Sequence, residues 1–475
     1  MHRIEIKSKS ILLGTFFFIA AVIVSLIIAL DRAIPTYYAF LPVMPLIFGF
    51  CCILFSDVFS YVPQNLGVTI ILGLFFVRNI ITPLVMFLGN YTGVIYLNIE
   101  NNTTPAIFLV SLETVAVFCA MSLRLKKIAK KCCVADETGK ELSFKSLKKY
   151  FLVIMIVLFV LIVCDIIAPE MMDSYRTIFD IGEEHFANFE DSDIVRIYGT
   201  TFVKKLAIVL GRYIARALIL IFPALIIAFT FYKNNLLYKL LGFFVCFVPL
   251  FYIAGGIARS LIYMICLFLL YNHCTAKTSR LSNKQLLPIV IGVIVAGFWW
   301  LYDYNSGELW SMLSGTLNAY FSGVNIVSGG FNLPNNMEYS MRYFINDFTS
   351  TIPFGGTIFG ISYETVQSFF NSANYTFGQI PPTISMGNYY FGPALAPIYS
   401  IIFAILAVDS GNQLSNNRNM HPMKYIRLCF SVFQFSMGIV MYNIEITMIA
   451  VFSLILPMIL IEKLSSNQCK NIEGK

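Results

Sequence analysis

Arginine residues inside apolar stretches are the first sign of chemistry in this sequence. Arg78 lies near the middle of one such stretch, and Arg212 and Arg216 lie four residues apart in another. A spacing of four places two side chains on one face of a helix, and Lys205, seven residues before Arg212, shares that face. Arg259 follows a Gly-Gly pair at a predicted tight turn. Because charge within apolar helices is costly, these arginines are candidate functional residues.

The chemistry that these arginines suit is the binding of phosphate, because a guanidinium group presents a planar fork of donors. The predicted helix arrangement puts all four at mid-depth or in the outer half of the membrane. An outward-opening cationic cavity would bind an anionic lipid headgroup, above all a pyrophosphate. In the alternative interpretation, the arginines pair with buried acids such as Glu113 or Asp165, or extend to the interface. Glu113 itself is interpreted as a neutral, hydrogen-bonded acid rather than a proton-coupling carboxylate.

No motif predicts a metal or a cofactor. The eleven cysteines and four histidines show no CxxC or Cys/His ligand spacing. Asp180, Glu183, Glu184 and His185 are of metal-ligand type, but we interpret them as part of an acidic, solvated face. The sequence has no P-loop and no GxGxxG motif, so nucleotide-driven chemistry is not supported.

The composition indicates which elements must position these residues. Of 475 residues, 58% are hydrophobic and 12% are charged, about half the roughly 25% charged content of soluble domains. This excludes a soluble enzyme, a disordered protein and a nucleic-acid-binding protein. Apolar stretches of membrane-spanning length recur throughout the chain, so we predict an all-α polytopic membrane protein. We expect about twelve spans, at about 11–30, 38–56, 66–88, 104–123, 150–167, 203–231, 236–253, 257–271, 285–301, 387–407, 425–442 and 445–461.

The distribution of basic residues predicts the orientation of these spans. With the N-terminus inside, 23 of the 33 Lys and Arg residues fall in cytosolic segments, nine of them in loop 124–149, and six fall in outer segments. The positive-inside rule therefore predicts that both termini are cytosolic. Segment 1–30 is interpreted as a first span that doubles as an uncleaved signal. The loop at about 168–202 is acidic and is expected outside.

The longest predicted loop, about 302–386, also lies outside. Its aromatic residues, prolines and glycines favour an ordered structure, and a connection of this length is functional or disordered. We therefore divide the chain into residues 1–301 with nine spans, the large extracytoplasmic loop 302–386, and residues 387–475 with three spans and a cytosolic tail.

Sequence motifs in and around this loop resemble a known family. The run Arg342-Tyr343-Phe344-Ile345-Asn346-Asp347 is followed by Ser350-Thr351-Ile352-Pro353-Phe354-Gly355-Gly356, and a later run extends from Gly378 to Ala394 with Tyr389-Tyr390-Phe391-Gly392 inside it. Together with the hairpin Gly255-Gly256-Ile257-Ala258-Arg259-Ser260, these resemble the Wzy-type polymerases of bacterial oligosaccharide repeat units, which make O-antigen and capsule.

The resemblance implies a membrane glycosyltransferase in the cytoplasmic membrane. Such an enzyme joins repeat units linked to undecaprenyl pyrophosphate at the outer face, with no cofactor. The expected partners are this lipid-linked oligosaccharide, membrane lipid, and the flippase and chain-length regulator of the same pathway. Catalytic roles are expected for Asp347 as the base and for Arg342 and Arg259, with Glu364, Asp303 and His185 as alternative bases. Pyrophosphate binding is expected of Arg78, Arg212, Arg216 and Arg259.

Two other functional classes remain open. A flippase for lipid-linked oligosaccharides would also need cationic residues and about twelve spans, although an 85-residue outer loop is not expected in it. An O-antigen ligase or a related glycan transferase would share the architecture and differ only in its acceptor. A simple solute transporter is the least favoured, because no broken-helix pair is evident at the midplane.

Overall fold

The computed structural model shows a helical protein. It describes residues 2–93, 102–131, 144–172, 198–232, 236–251, 257–276, 309–334, 337–353, 355, 365–376, 378–416 and 420–470. Within these residues every regular element is a helix, and there is no β-strand.

Eight helical segments of the described chain are long and apolar enough to cross a membrane. The apolar composition of these segments identifies a membrane-embedded protein with several spans. The segments are Lys9–Ala29, Thr36–Leu54, Leu66–Leu88, Thr103–Lys130, Leu147–Ile167, Phe202–Phe229, Ile398–Ser415 and Ile444–Lys463.

The helices are numbered here in chain order. The first nine are α1 (His2–Ala29), α2 (Val43–Leu54), α3 (Leu66–Phe76), α4 (Thr82–Leu88), α5 (Thr103–Lys131), α6 (Phe144–Ile167), α7 (Phe202–Tyr232), α8 (Leu236–Val245) and α9 (Ile257–Ala276). A π-helical turn, Val77–Ile81, joins α3 to α4. The remaining helices are α10 (Leu309–Tyr320), α11 (Val324–Gly329), α12 (Met337–Thr351), α13 (Val366–Asn374), α14 (Thr383–Phe391), α15 (Ile398–Asn416), α16 (Pro422–Val440), α17 (Ile444–Ala450) and α18 (Leu456–Lys470), the last two joined by the π-turn Val451–Ile455.

The structure corrects two of the twelve predicted spans. The prediction of one continuous span at 387–407 is wrong, because α14 ends at Phe391 and α15 begins only at Ile398. Gly392 has a φ of 78°, which L-residues rarely adopt, and Pro393 and Pro397 follow it, so the chain turns instead of continuing as helix. The predicted span 236–253 is likewise too long, since α8 has only ten residues.

Two further predicted spans form helices that are less apolar than expected, and one predicted span lies outside the described residues. Helices α9 and α16 form close to the predicted spans 257–271 and 425–442, but neither is among the eight segments with the apolar composition of a span. The predicted span 285–301 lies outside the described residues, as do most of the acidic loop and residues 132–143 of the basic loop.

Small residues allow the central helices to approach closely. Gly67 of α3 faces the backbone carbonyl of Ala407 in α15, with no room for a Cβ between them. Beside this contact, the Asn65 side chain donates to the carbonyl of Val408 at 3.0 Å and accepts from the amide of Val68 at 3.2 Å. Close packing and satisfied polar groups of this kind are what holds helices together in a bilayer.

Helices α10–α14 cover one end of the bundle. We call the described residues between 309 and 391 the capping segment, and they contact several of the spans. The Tyr38 hydroxyl donates to Asn325 at 2.8 Å, and the Asn102 amide donates to Asn332 at 2.6 Å. The Thr383 hydroxyl donates to the Tyr442 carbonyl, between α16 and α17, at 3.2 Å. The segment is therefore a folded layer seated on the bundle.

The opposite end of the bundle carries ion pairs between helices. Arg124 of α5 makes a bidentate contact with Asp409 of α15, at 2.6 and 2.5 Å. Arg427 of α16 contacts Glu462 of α18 in the same way, at 2.7 and 3.0 Å. Lys126 lies 3.3 Å from Asp57. We call this the ion-pair end.

Candidate functional site

A cavity of about 100 Å³ lies between the capping segment and the helices beneath it. Phe348, Ile444 and Met448 provide apolar walls, and Asp347, Tyr390 and Tyr399 provide polar groups. The walls come from four helices, α12, α14, α15 and α17, so the cavity exists only where the capping segment meets the bundle. Apolar walls with a few convergent polar groups are typical of a binding site.

Among the described residues, Asp347 is the only acidic side chain that lines this cavity. Its side chain is 3% exposed, and it accepts two hydrogen bonds. One comes from the backbone amide of Val366 at 2.9 Å, and the other comes from the hydroxyl of Tyr390. Val366 is the first residue of α13, so the carboxyl group also interacts with a helix N-terminus, where negative charge is favourable.

Burial of this carboxyl group changes its acidity. Loss of solvation raises the pKa of Asp347 to about 7, and the hydrogen bonds from Tyr390 and Val366 oppose that rise. Burial and the neighbouring Asp347 also raise the pKa of Tyr390, so the tyrosine stays protonated and remains a donor. A carboxyl group that titrates near neutral pH can accept a proton from a substrate hydroxyl.

Aromatic rings surround the same carboxyl group. Tyr343 and Phe369 stack with ring centroids 4.9 Å apart and an interplanar angle of 9°. Phe344 meets Tyr390 edge to face at 5.4 Å, and Tyr389 lies 6.3 Å from Tyr343. These rings pack on one another within the capping segment, as expected of an ordered loop rich in aromatic residues. They fix the positions of α12, α13 and α14 around the carboxyl group.

The structure separates Arg342 from Asp347. Both lie on α12, but five residues of helix place them about 140° apart around the axis. Arg342 is exposed, whereas Asp347 is buried against α13 and α14. Arg342, for which a catalytic role is predicted, therefore does not face the predicted base, because helical geometry turns the two side chains to different faces.

Arg78 follows the alternative interpretation, in which an intramembrane arginine pairs with a buried acid. Its guanidinium group contacts the Glu113 carboxylate, and both side chains are 0% exposed. Glu113 also accepts from the Ser400 hydroxyl, and Arg78 Nε donates to the Ser322 carbonyl at 3.0 Å. Because substrate cannot reach a fully buried guanidinium, the structure corrects the expectation that Arg78 binds pyrophosphate.

The arginines of α7 flank a tyrosine that contacts the end of α12. Tyr213 of α7 donates to the carbonyl of Thr351, the last residue of α12, at 3.2 Å. The guanidinium group of Arg216 lies over the ring of Tyr213, 6.0 Å from its centroid. Arg212, which precedes Tyr213 in the chain, is buried. Thr351 also lines the cavity. Tyr213, between the two arginines in the chain, thus joins α7 to the end of α12 that lines the cavity.

Arg259 lies at a different point beneath the capping segment. It is partly exposed at the start of α9 and lies close enough to Tyr442 to interact with it electrostatically. Tyr442 precedes α17, and its backbone carbonyl accepts from Thr383 of α14. Lys205, by contrast, is exposed. The alternative bases Glu364, Asp303 and His185 all lie outside the described residues.

Sequence reasoning missed two residues of this site. In the sequence Tyr390 stands out only as part of an aromatic pattern, and nothing in that pattern reveals its hydrogen bond to Asp347. Glu445 lies in the first turn of α17, where its carboxylate accepts from the Ser350 hydroxyl at 3.3 Å. Asn443 followed by an acid two residues later is a helix-start signal that identifies the position but not its neighbours.

No group of three or more His, Cys, Asp or Glu side chains suited to a metal ion occurs within the described residues. Comparison of the chain with family models, with curated proteins and with solved structures finds no match.

Proposed function

We propose that the protein is a polymerase that joins undecaprenyl-pyrophosphate-linked oligosaccharide repeat units at the outer face of the cytoplasmic membrane. The observation that carries the proposal is the buried carboxyl group of Asp347, held in a cavity between the capping segment and the spans. The capping segment lies opposite the ion-pair end, and the positive-inside rule assigns the more basic side to the cytosol.

In the proposed reaction, the Asp347 carboxylate removes the proton of an acceptor hydroxyl. The hydroxyl oxygen then forms a bond to the anomeric carbon of the donor glycan, and the bond from that carbon to the pyrophosphate oxygen breaks. The electron pair of the broken bond leaves with the lipid diphosphate. Tyr390 and the Val366 amide hold the carboxylate oxygens in place, which keeps the base oriented.

The departing diphosphate needs positive charge near the cavity. Arg212 and Arg216 are the arginines that support this role, because Tyr213 between them contacts the end of α12. Arg259 is a second candidate for phosphate binding, beside Tyr442. Electrostatic stabilisation of a leaving group is worth most in a site that excludes water. Arg78 and Arg342 are no longer assigned to this step.

Purified protein in detergent provides the test, because detergent leaves no membrane across which a lipid could be flipped. Incubation with lipid-linked repeat units and no nucleotide is expected to yield a polymer ladder. Asp347→Asn is expected to bind the lipid-linked unit and to form no polymer. Glu338→Gln is the matched control, since Glu338 is an exposed acid of the same helix, and it should retain the full ladder.

The results separate the proposed classes. Transport of the lipid by the protein in liposomes, with no polymer formed in detergent, would favour the flippase. Transfer of glycan to a different acceptor, such as a lipid-anchored core saccharide, would favour the ligase. A normal ladder from Asp347→Asn would leave a polymerase in place but would remove Asp347 as its base.

A further inference from the structure

Helix α12 presents two chemically different faces. Its buried face carries Asp347 and packs on α13, α14 and α17. Away from that face the helix exposes Met341, Arg342, Ile345 and Phe348, which recur at spacings of three and four residues and so form one stripe. Phe348 lies at the edge of this stripe and also borders the cavity. Ile345, at the centre of the stripe, is 48% exposed, and Phe348 is 46% exposed.

The contacts at the end of α12 fix its depth relative to the spans. The carbonyl of Thr351 accepts from Tyr213, which belongs to the span Phe202–Phe229. Ser350 donates to Glu445, the second residue of the span Ile444–Lys463. Glu445 is at the start of its span, whereas Tyr213 lies eleven residues inside the span Phe202–Phe229. Two separate spans therefore hold the C-terminal end of α12 beside the apolar part of the bundle, within the length of one of them.

A second helix of the capping segment, α10, contacts the end of another span. The Trp310 carbonyl, in the first turn of α10, touches Gly89, which directly follows the span Leu66–Leu88. Trp310 and Tyr320 at the two ends of α10 are both largely exposed. Exposed Trp and Tyr side chains at this level are typical of the boundary between hydrocarbon and headgroups.

We propose that the stripe of α12 lies in the outer part of the bilayer, with Met341, Ile345 and Phe348 among acyl chains and Arg342 on a lipid phosphate. Three observations support a lipid occupant. The helix is hydrogen-bonded to two apolar spans, one at its start and one within its length; its exposed stripe is apolar like those spans; and the stripe carries one cation, Arg342. An amphipathic helix of this composition binds in the interfacial plane of a membrane. The proposal does not depend on the proposed polymerase activity.

The placement gives α12 a second role beside that of carrying Asp347. The lipid surface holds one face of the helix, and α13 and α14 hold the other. Arg342 then recognises phosphate, as its side chain chemistry suggested, but in the lipid headgroup layer. Its orientation away from Asp347 follows directly from this role.

The test is photo-crosslinking in nanodiscs that contain only the purified protein, its scaffold and a mixture of zwitterionic and anionic phospholipids. A benzophenone amino acid introduced at Ile345 or at Met341 is expected to give an adduct with the mass of one phospholipid. Ser372, exposed on α13 without apolar neighbours in a stripe, is the matched control and should give no lipid adduct. Both test positions are exposed, so the bulky side chain should not prevent folding.

Arg342 is tested in the same assay. In an equimolar lipid mixture the adduct at Ile345 should favour the anionic lipid about fivefold, which corresponds to about 1 kcal/mol for one basic residue near a membrane surface. Arg342→Gln should bring this ratio close to one. A cross-linked dimer at Ile345 would show that a second copy covers the stripe, and equal lipid adducts at Ile345 and Ser372 would show no preferred contact; either result would overturn the proposal.

Discussion

At the ion-pair end, partly exposed arginine–carboxylate pairs join neighbouring helices, as between Arg124 and Asp409 with 31% and 25% of their side chains exposed. At the capped end, Lys204 and Glu170 form a similar pair, with 24% and 26% of their side chains exposed, but other charged groups are buried. Arg78 and Glu113 are fully buried there, and Asp347 lines a cavity. Exposed pairs contribute little to stability, whereas each buried charge depends on its partners. The buried charges of the capped end therefore depend on their partners for stability, and the proposed function draws on one of them, Asp347.

The largest expected effect comes from breaking the buried pair. Arg78→Met should lower the free energy of unfolding by about 3–5 kcal/mol, since it leaves the Glu113 carboxylate buried without its cation. It should also release the Ser322 turn of the capping segment. Thermal unfolding in detergent measures the change.

The double variant Arg78→Met with Glu113→Leu is the control for this effect. It removes both charges and should recover most of the lost stability. If the double variant is as unstable as Arg78→Met alone, the loss arises from packing and not from uncompensated charge.

The second effect is the pH dependence that Asp347 gives to stability. Its pKa is raised in the folded protein from 3.8 to about 7, so the folded state holds the proton more tightly than the unfolded chain. This contribution is fully present below about pH 4 and is lost as the pH rises through 7. A shift of this size corresponds to about 4 kcal/mol.

Unfolding temperatures measured from pH 4 to 8 should fall in the wild type and change less in Asp347→Asn. Parallel curves would assign the pH dependence to other groups.

The third prediction concerns the hydrogen bond between Tyr390 and Asp347. That bond lowers the pKa of Asp347, so Tyr390→Phe should raise it further. If Asp347 is the base, the rate of polymer formation should increase with pH around 7 in the wild type and around a higher pH in Tyr390→Phe. Tyr375→Phe, at an exposed ring of the capping segment, should leave the profile unchanged. An identical profile in Tyr390→Phe would mean that another group sets the pH dependence.

The smallest effect is expected at the ion-pair end. Arg124→Gln should lower the free energy of unfolding by at most about 1 kcal/mol, because water already solvates much of the pair. The same measurement as for Arg78→Met gives a direct comparison of the two ends. A loss at Arg124 as large as that at Arg78 would remove the distinction between them.

Much of the membrane architecture could be predicted from the sequence. Seven of the predicted spans are found as helices of the right length and composition, because an apolar stretch in a bilayer must satisfy its own backbone hydrogen bonds. The error at 387–407 has a local cause that hydropathy does not capture. Gly392 and the prolines after it interrupt a stretch that is apolar throughout.

The candidate site was predicted only in part. Asp347 was identified from a motif, and the helix-face argument correctly placed Arg212 and Arg216 together. The assignments of Arg78 and Arg342 did not hold. Local spacing cannot reveal that Glu113, 35 residues away, neutralises Arg78, nor that Ser322 lies beside it.

Residue order and composition therefore determined that the protein is helical and membrane-embedded, since those properties depend on segments of about twenty neighbours. The acidity of Asp347 depends instead on contacts from α13, α14 and α17, whose residues lie up to about a hundred positions away in the chain. Contacts between distant segments likewise enclose Arg78 with Glu113. Such properties arise from desolvation and charge proximity in three dimensions, and neither is encoded in the spacing of residues along one helix.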